Sequence, residues 1–250
     1  MNTFIHDEME IKTAIILAAG KGTRLRSVTG DEIPKPLTPL KEQPLIEYSI
    51  QALRSAGVQK ILIGCGHLLP EFNYLEKKYS EVEIVENPFY DTRASIYTLL
   101  MFESLVDEPF YLLEADILFE PTIFERFTPT DDNQNLILTS APLNLDDNVY
   151  FSSEAGRLTK LTKNAEKIVD PEGVMTGIWA FSAGFMKRFT TFCKQINIDY
   201  SEDYEVLLAQ YSSEQEAISI AHFPELNWCE IDNEDHLEFA LTDVLPKIIQ

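Results

Sequence analysis

"AIILAAGKGTRLRSVTGDEIPKPL", residues 14–37, decides how the rest of the chain is read. An apolar run stops at Gly20. Gly22 and Arg24 follow, and Lys35 stands between Pro34 and Pro36. The run "TAIILAA", residues 13–19, has the length and continuity of a strand covered on both faces. Glycines directly after such a strand let the backbone approach a ligand and expose N–H donors to phosphate oxygens. Arg24 can fork onto phosphate, and Lys35 can supply a point charge from a proline-stiffened segment. Two common phosphate motifs do not fit. The dinucleotide fingerprint needs a third glycine where Leu25 stands, and the P-loop needs glycine at Ile15 and a hydroxyl residue at Gly22.

Strand and helix periods alternate downstream of this stretch. "PLIEYSIQALRSAG" sets Ile46, Ile50 and Leu53 on one helical stripe, and "KILIGCG" reads as a second buried strand. A helix over "LLPEFNYLEKKY", a strand "VEIVE", a helix "ASIYTLLMFESL" and a strand "FYLLEAD" continue the rhythm. Strands separated by helices of this length predict right-handed crossovers and a parallel sheet. Beyond about residue 130 the links shorten: "NLILTSA", "NVYFSS" and "RLTKLT" read as strands, with "SEAGR" as a turn. "VMTGIWAFS" is a further strand, followed by helices over "AGFMKRFTTFCKQI" and "EDYEVLLAQYS". The strand "NWCEID" then leads into a closing helix from about Asn233. The expected fold is one mixed α/β domain, a Rossmann-like, mostly parallel central sheet flanked by helices with an antiparallel acceptor-binding portion in the second half. About 11–130 would form the nucleotide-binding half, about 131–225 the acceptor-binding portion, and about 226–250 the closing strand and helix.

Composition narrows the function. The 250 residues are 45% hydrophobic, enough for a single large α/β domain. Twenty basic residues against 41 acidic give a formal net charge of −21. Such a surface repels nucleic acid and anionic membranes, so a polyanion must be gripped locally by a few placed cations. Cys65, Cys193 and Cys229 are odd in number and far apart, which supports neither a disulfide framework nor a zinc site. "MNTFIHDEME" lacks the apolar core of a signal peptide, and no apolar run approaches the ~20 residues that span a bilayer. A cytoplasmic protein is expected.

Two carboxylate pairs stand at predicted strand ends. "YLLEAD" closes on Asp116 with Glu114 two residues earlier, and "WCEIDNEDH" offers Glu230 and Asp232 with the same spacing. Open α/β sheets bind ligands at the carboxyl ends of their strands. Hard oxygen donors from two strand ends suit Mg²⁺, which keeps several waters and bridges to substrate phosphates. Asp116, Asp232 and Glu230 are therefore the candidate metal ligands. Asp232 could equally cap the last helix.

Taken whole, "LAAGKGTRL…PKPL" resembles the signature of nucleotidyltransferases that join an NTP to a phosphorylated or phosphonylated acceptor and release pyrophosphate. The resemblance implies that Ala18, Ala19, Gly20 and Gly22 contact the nucleotide and that Arg24 and Lys35 neutralise the triphosphate. It also runs through "IGCGHLLPEFNYLEKKYS", "VENPFY", "YLLEAD", "LTKN" and "EIDNEDHLEFA", covering nearly the whole chain after roughly the first ten residues. Within the family these stretches are similar to CTP-dependent enzymes acting on small phosphoalkylamines, 2-aminoethylphosphonate and phosphocholine cytidylyltransferases. That likeness implies cytosine contacts from Gly66, Ala94 and Ser95, and an acceptor-anion contact from Lys163. "TRASIYTL" departs from the glycine-rich "TGSMGTL" that the aminoethylphosphonate enzymes tend to carry, and it leans towards the phosphocholine pattern.

The acceptor's amine supplies a chemical test. A primary ammonium wants carboxylates that accept hydrogen bonds, whereas a quaternary ammonium wants aromatic faces. Asp147, Glu202 and Asp203 are candidate ammonium partners, but Tyr200 and Tyr204 are interleaved with the latter two, so the stretch serves either type. The expected reaction transfers CMP from CTP to 2-aminoethylphosphonate, with phosphocholine or a sugar 1-phosphate as other acceptors. A catalytically silent nucleotide-binding protein would lack a cation or a carboxylate of the set Arg24, Lys35, Asp116 and Asp232, and all four are present. The expected partners are CTP and a small phosphonate or phosphoalkylamine; a homodimer is left open.

Overall fold

The structure, a computed structural model, describes residues 10–168 and 171–249. The segment read as lacking a signal-peptide core lies almost wholly outside the described residues. Among the described residues, thirteen strands and eight α-helices follow one another in a regular order. The first half holds β1 (Thr13–Ala18), a short helix α1 (Arg26–Thr29), the two-residue strands β2 (Pro39–Leu40) and β3 (Gln43–Pro44), and α2 (Leu45–Ser55). Then come β4 (Lys60–Cys65), α3 (Asn73–Lys78), β5 (Val82–Glu86), α4 (Ser95–Leu100), β6 (Phe110–Glu114) and β7 (Ile117–Phe119). The second half holds β8 (Asn135–Ser140), β9 (Tyr150–Glu154), β10 (Arg157–Thr162), β11 (Gly173–Phe181), α5 (Phe185–Gln195) and α6 (Tyr204–Glu214). It closes with β12 (Ile218–His222), β13 (Trp228–Glu230), α7 (Glu234–Phe239) and α8 (Leu245–Ile248).

Nine strands form one sheet in the order β5-β4-β1-β6-β11-β8-β12-β10-β9. β5, β4, β1 and β6 are parallel, as the helical crossovers between them require. β11 then runs antiparallel to β6 and to β8, so the second half extends the same sheet instead of building a separate lobe. The sheet is therefore a mixed one, with three of its parallel pairs among β1, β4, β5 and β6 and a fourth between β8 and β12. β12, over "ISIAH", is not among the strands expected from the sequence; it pairs in parallel with β8.

Alternation along β1 shows why both halves of the run are apolar. Ala14 and Ile16 face a core shared with α2 and α3, through Ile46, Ile50, Leu53 and Leu75. Ile15 faces the other core, which includes Ile96 and Leu99 of α4, Phe185 and Phe189 of α5, and Leu207 and Leu208 of α6. Helices on both faces make a three-layer arrangement whose central strands never meet water. Cys65, Cys193 and Cys229 are buried free thiols that pack as small apolar residues.

Register places the site. Leu17 of β1 lies opposite Glu114 of β6, so the glycine loop leaves the sheet beside the first carboxylate pair. β7 pairs antiparallel with β13 in a separate ribbon, with Ile117 opposite Glu230. The Ile231 N–H donates to the Asp116 carbonyl at 2.9 Å. This ribbon carries the second carboxylate pair, Glu230 and Asp232, up to the first.

Candidate active site

A cleft of about 420 Å³ opens at the carboxyl ends of β1 and β6, within the ~300–1,000 Å³ common for small-molecule sites. Its glycine wall is Ala18, Ala19, Gly20 and Gly22, and its cations are Arg24, Lys35, Arg93 and Lys163. Two local features explain the glycines. Among the described residues nothing lies within 4 Å of where a Cβ on Gly20 would stand. Gly22 has φ 59°, and a Cβ there would meet Lys35 Cβ at 2.6 Å. The second glycine thus serves both a left-handed backbone and the passage of the lysine beneath it.

Lys35 is 8% exposed and threads between carboxylates. Its Nζ donates to Asp116 Oδ2 at 2.5 Å and also to Asp232 Oδ1. Arg24 bridges Asp147 and Asp232, lying 2.8 Å from Asp232 Oδ2. Burial works against the charge of Lys35, yet Asp116, Asp232 and Glu230 together raise its pKa above the ordinary lysine value. For Asp232, burial is likewise outweighed, and Lys35 and Arg24 hold its carboxyl below the usual range.

Sequence similarity can be placed against this geometry. Residues 14–160 match the MobA-like NTP transferase domain. The chain belongs to that family. It is the family that the glycine stretch resembles. A choline-phosphate cytidylyltransferase of Streptococcus pneumoniae is 43% identical over 172 residues, which are 62% of this chain and 73% of that protein. A 2-aminoethylphosphonate cytidylyltransferase of Lancefieldella rimae is 30% identical over 184 residues, 73% of this chain and 72% of that protein. The solved inositol-1-phosphate CTP transferase of T. maritima superposes with a TM-score of 0.82 at 24% identity, covering 96% of this chain and 97% of that one, a likeness of fold. No helix among the described residues is long and apolar enough to cross a membrane.

In this NTP transferase the carboxylates that converge are Glu114, Asp116 and Glu230, each offering an oxygen within 4.8 Å of the others. Burial, then Asp116 and Glu205, push the Glu114 carboxyl up to about 8 against the Tyr204 hydroxyl that donates to it at 2.9 Å. Burial and the neighbouring Asp116 and Glu114 raise Glu230 well above the ordinary range as well. Three hard carboxylate oxygens crowded this closely repel one another, a donor set that a divalent cation would relieve, so the residues fit Mg²⁺. Asp232, the other expected ligand, stands next to this set: Lys35 Nζ pairs with both Asp116 and Asp232, and Arg24 pairs with Asp232.

Gly177 of β11 makes room for Glu114. Its φ is 78°, and a Cβ there would collide with Glu114 Oε2. The pairing of β11 with β8 slips between Met175 and Trp179, around this glycine. A glycine inside an otherwise apolar strand is a signal for such a close approach, and it was available in "TGIWAF".

The remaining expected residues divide. Ala94, Ser95, Asp203 and Lys163 line the cleft, and Ser95 Oγ donates to Asp203 Oδ1 at 3.2 Å. Gly66 does not line it: Tyr90 packs on Gly66 and is itself part of the wall. Asp147 is paired with Arg24, and Glu202 is exposed and outside the lining. Glu205 takes its place, in the first turn of α6, with burial and then Asp203 pushing its carboxyl up to about 7, opposed by the nearby Lys163 ammonium.

Proposed function

We propose that this NTP transferase moves CMP from CTP to 2-aminoethylphosphonate, releasing pyrophosphate. The carrying observation is that one cleft is lined both by the glycine wall with Arg24 and Lys35 and by Lys163, Asp203 and Glu205. The first group suits a triphosphate. The second suits a small zwitterion, with its anion at Lys163 and a primary ammonium at carboxylates that accept hydrogen bonds.

An acceptor phosphonate oxygen is already anionic near pH 7, so no general base is called for. It attacks the α-phosphorus in line, forming the new P–O bond as the bond to the β-phosphate oxygen breaks, and the electron pair leaves with pyrophosphate. Arg24 and Lys35 would stabilise the departing charge, and Lys163 would hold the attacking anion close against repulsion from the nucleotide. Glu114, Asp116 and Glu230 would hold Mg²⁺, whose charge when bound offsets that of phosphate oxygens. On binding nucleotide, Arg24 and Lys35 would exchange carboxylate partners for phosphate, which keeps the buried Lys35 ammonium neutralised in both states.

Phosphocholine is the second reading, favoured by the rings Phe89, Tyr97 and Tyr200 close to the cleft mouth and by the similarity to the S. pneumoniae protein. The test is CTP-dependent pyrophosphate release with 2-aminoethylphosphonate, phosphocholine and glucose 1-phosphate, with the product followed by phosphorus NMR. The aminoethylphosphonate should give the highest kcat/KM. Preference for phosphocholine would reverse the acceptor, and no release with any acceptor would overturn the reading.

A further inference from the structure

Arg93 occupies an unusual seat. Its guanidinium carbon lies 4.5 Å from the Phe89 ring centroid, 4.3 Å from that of Tyr97 and 4.9 Å from that of Tyr200. Phe89 and Tyr97 meet edge to face at 5.4 Å and 88°, and Tyr97 and Tyr200 at 5.6 Å and 86°. Three rings set nearly perpendicular form a box around one cation, the arrangement that recognises quaternary ammonium ligands. Among the described residues the Arg93 guanidinium makes no ion pair; the rings are its partners.

The box is built across two distant segments. Phe89 and Tyr97 flank the start of α4, whereas Tyr200 precedes α6, and the Ala94 N–H donates to the Tyr200 carbonyl at 2.9 Å to join them. Tyr200 holds a left-handed backbone with φ 63°, a conformation unfavourable for a non-glycine residue that persists where surrounding structure enforces it. Arg93, Ala94 and Ser95 all line the cleft, whereas the three rings do not. Arg93 therefore joins the box to the cleft wall, two residues from Ser95, whose hydroxyl donates to Asp203 at 3.2 Å.

We propose that Arg93 is a specificity-determining residue that fills this cation box with the protein's own charge and so denies it to a quaternary ammonium. An acceptor carrying a trimethylammonium finds the aromatic seat taken and a like charge at its entrance. A primary ammonium does not need the rings, because Asp203 and Glu205 serve it. This deepens the proposed acceptor preference and rests on it for the direction of that preference, while the box itself is testable by binding alone.

The probe is tetramethylammonium, titrated into wild type and into Arg93→Ala by calorimetry. The variant should bind it at least tenfold more tightly, and Arg93→Ala/Tyr97→Leu should lose that gain. In turnover, the ratio of kcat/KM for phosphocholine to that for 2-aminoethylphosphonate should rise at least tenfold in Arg93→Ala. Should the variant not fold, the wild type still decides: the Arg93 δ-methylene proton signals, shifted upfield by the rings, should not move on adding tetramethylammonium. Equal binding to wild type and variant, or displacement of the Arg93 signals, would overturn the proposal. Absence of turnover with every acceptor, alongside the expected binding gain, would overturn the acceptor reading and leave the box standing.

Discussion

Lys35 shows how much one side chain can be asked to do. It is nearly buried, touches Asp116 and Asp232, and lies under Gly22. Replacing it with alanine should cut kcat/KM for CTP by at least about 10²-fold, the usual loss on removing a group that stabilises developing charge. Asp116→Ala should lose as much, with a native circular dichroism spectrum in both; near-normal turnover in either would contradict the roles of these two side chains. Gly22→Ala should lower the unfolding free energy by about 1–2 kcal/mol, because alanine resists a left-handed backbone and its methyl meets Lys35, and urea unfolding measures this directly. These residues were readable in the sequence because their constraints are local: glycine where backbone must bend, and lysine where two prolines fix the chain. Glu205 and Asp147 were harder to rank. Acidic residues crowd both stretches, and only the fold shows which of them point into the cleft or pair with Arg24.

Among the helices, α2 carries a buried charge. Glu47 is 1% exposed and accepts hydrogen bonds from Tyr74 at 3.0 Å, Lys78 at 2.6 Å and Tyr79 at 2.7 Å. Burial alone would raise its pKa, but Lys78 and the two tyrosines lower it below the ordinary carboxylate value. A folded-state pKa below that of the unfolded chain means that the stabilisation is present above the unfolded value and is lost as pH falls through the folded one. Stability of the wild type should therefore drop as pH falls below about 5, and Glu47→Gln should flatten that part of the profile while costing about 1–3 kcal/mol at pH 7. Urea midpoints measured across this range would check both slopes. Elements with strong periodicity, such as β1, β4, α2 and β11, could be read from the chain. β12 could not, because Ser219 and His222 interrupt its apolar pattern, and it becomes a strand only through its parallel pairing with β8. β7 was hidden for a similar reason, as three residues pair with β13 far along the chain.

Taken as a whole, the molecule is strongly anionic and takes an anionic substrate. With a formal charge of −21, its distant field opposes nucleotide, while Arg24 and Lys35 attract only at close range. Raising ionic strength from about 0.01 M to 0.1 M shortens the screening length from ~30 Å to ~10 Å, which weakens the distant repulsion first. The association rate of CTP, followed by stopped flow, should accordingly rise over that interval; a fall would mean that the local cations dominate at every distance. The β7–β13 ribbon has one more consequence. Glu230 meets Asp116 only after the polypeptide between them has been made and folded into β8 through β12. A chain still short of β13 lacks Asp232, one of the two carboxylates that pair with Lys35. Truncation just upstream of β13 leaves all nine strands of the main sheet in the chain yet removes Glu230 and Asp232; such a chain should release no pyrophosphate from CTP, and measurable release would contradict the role given to the ribbon.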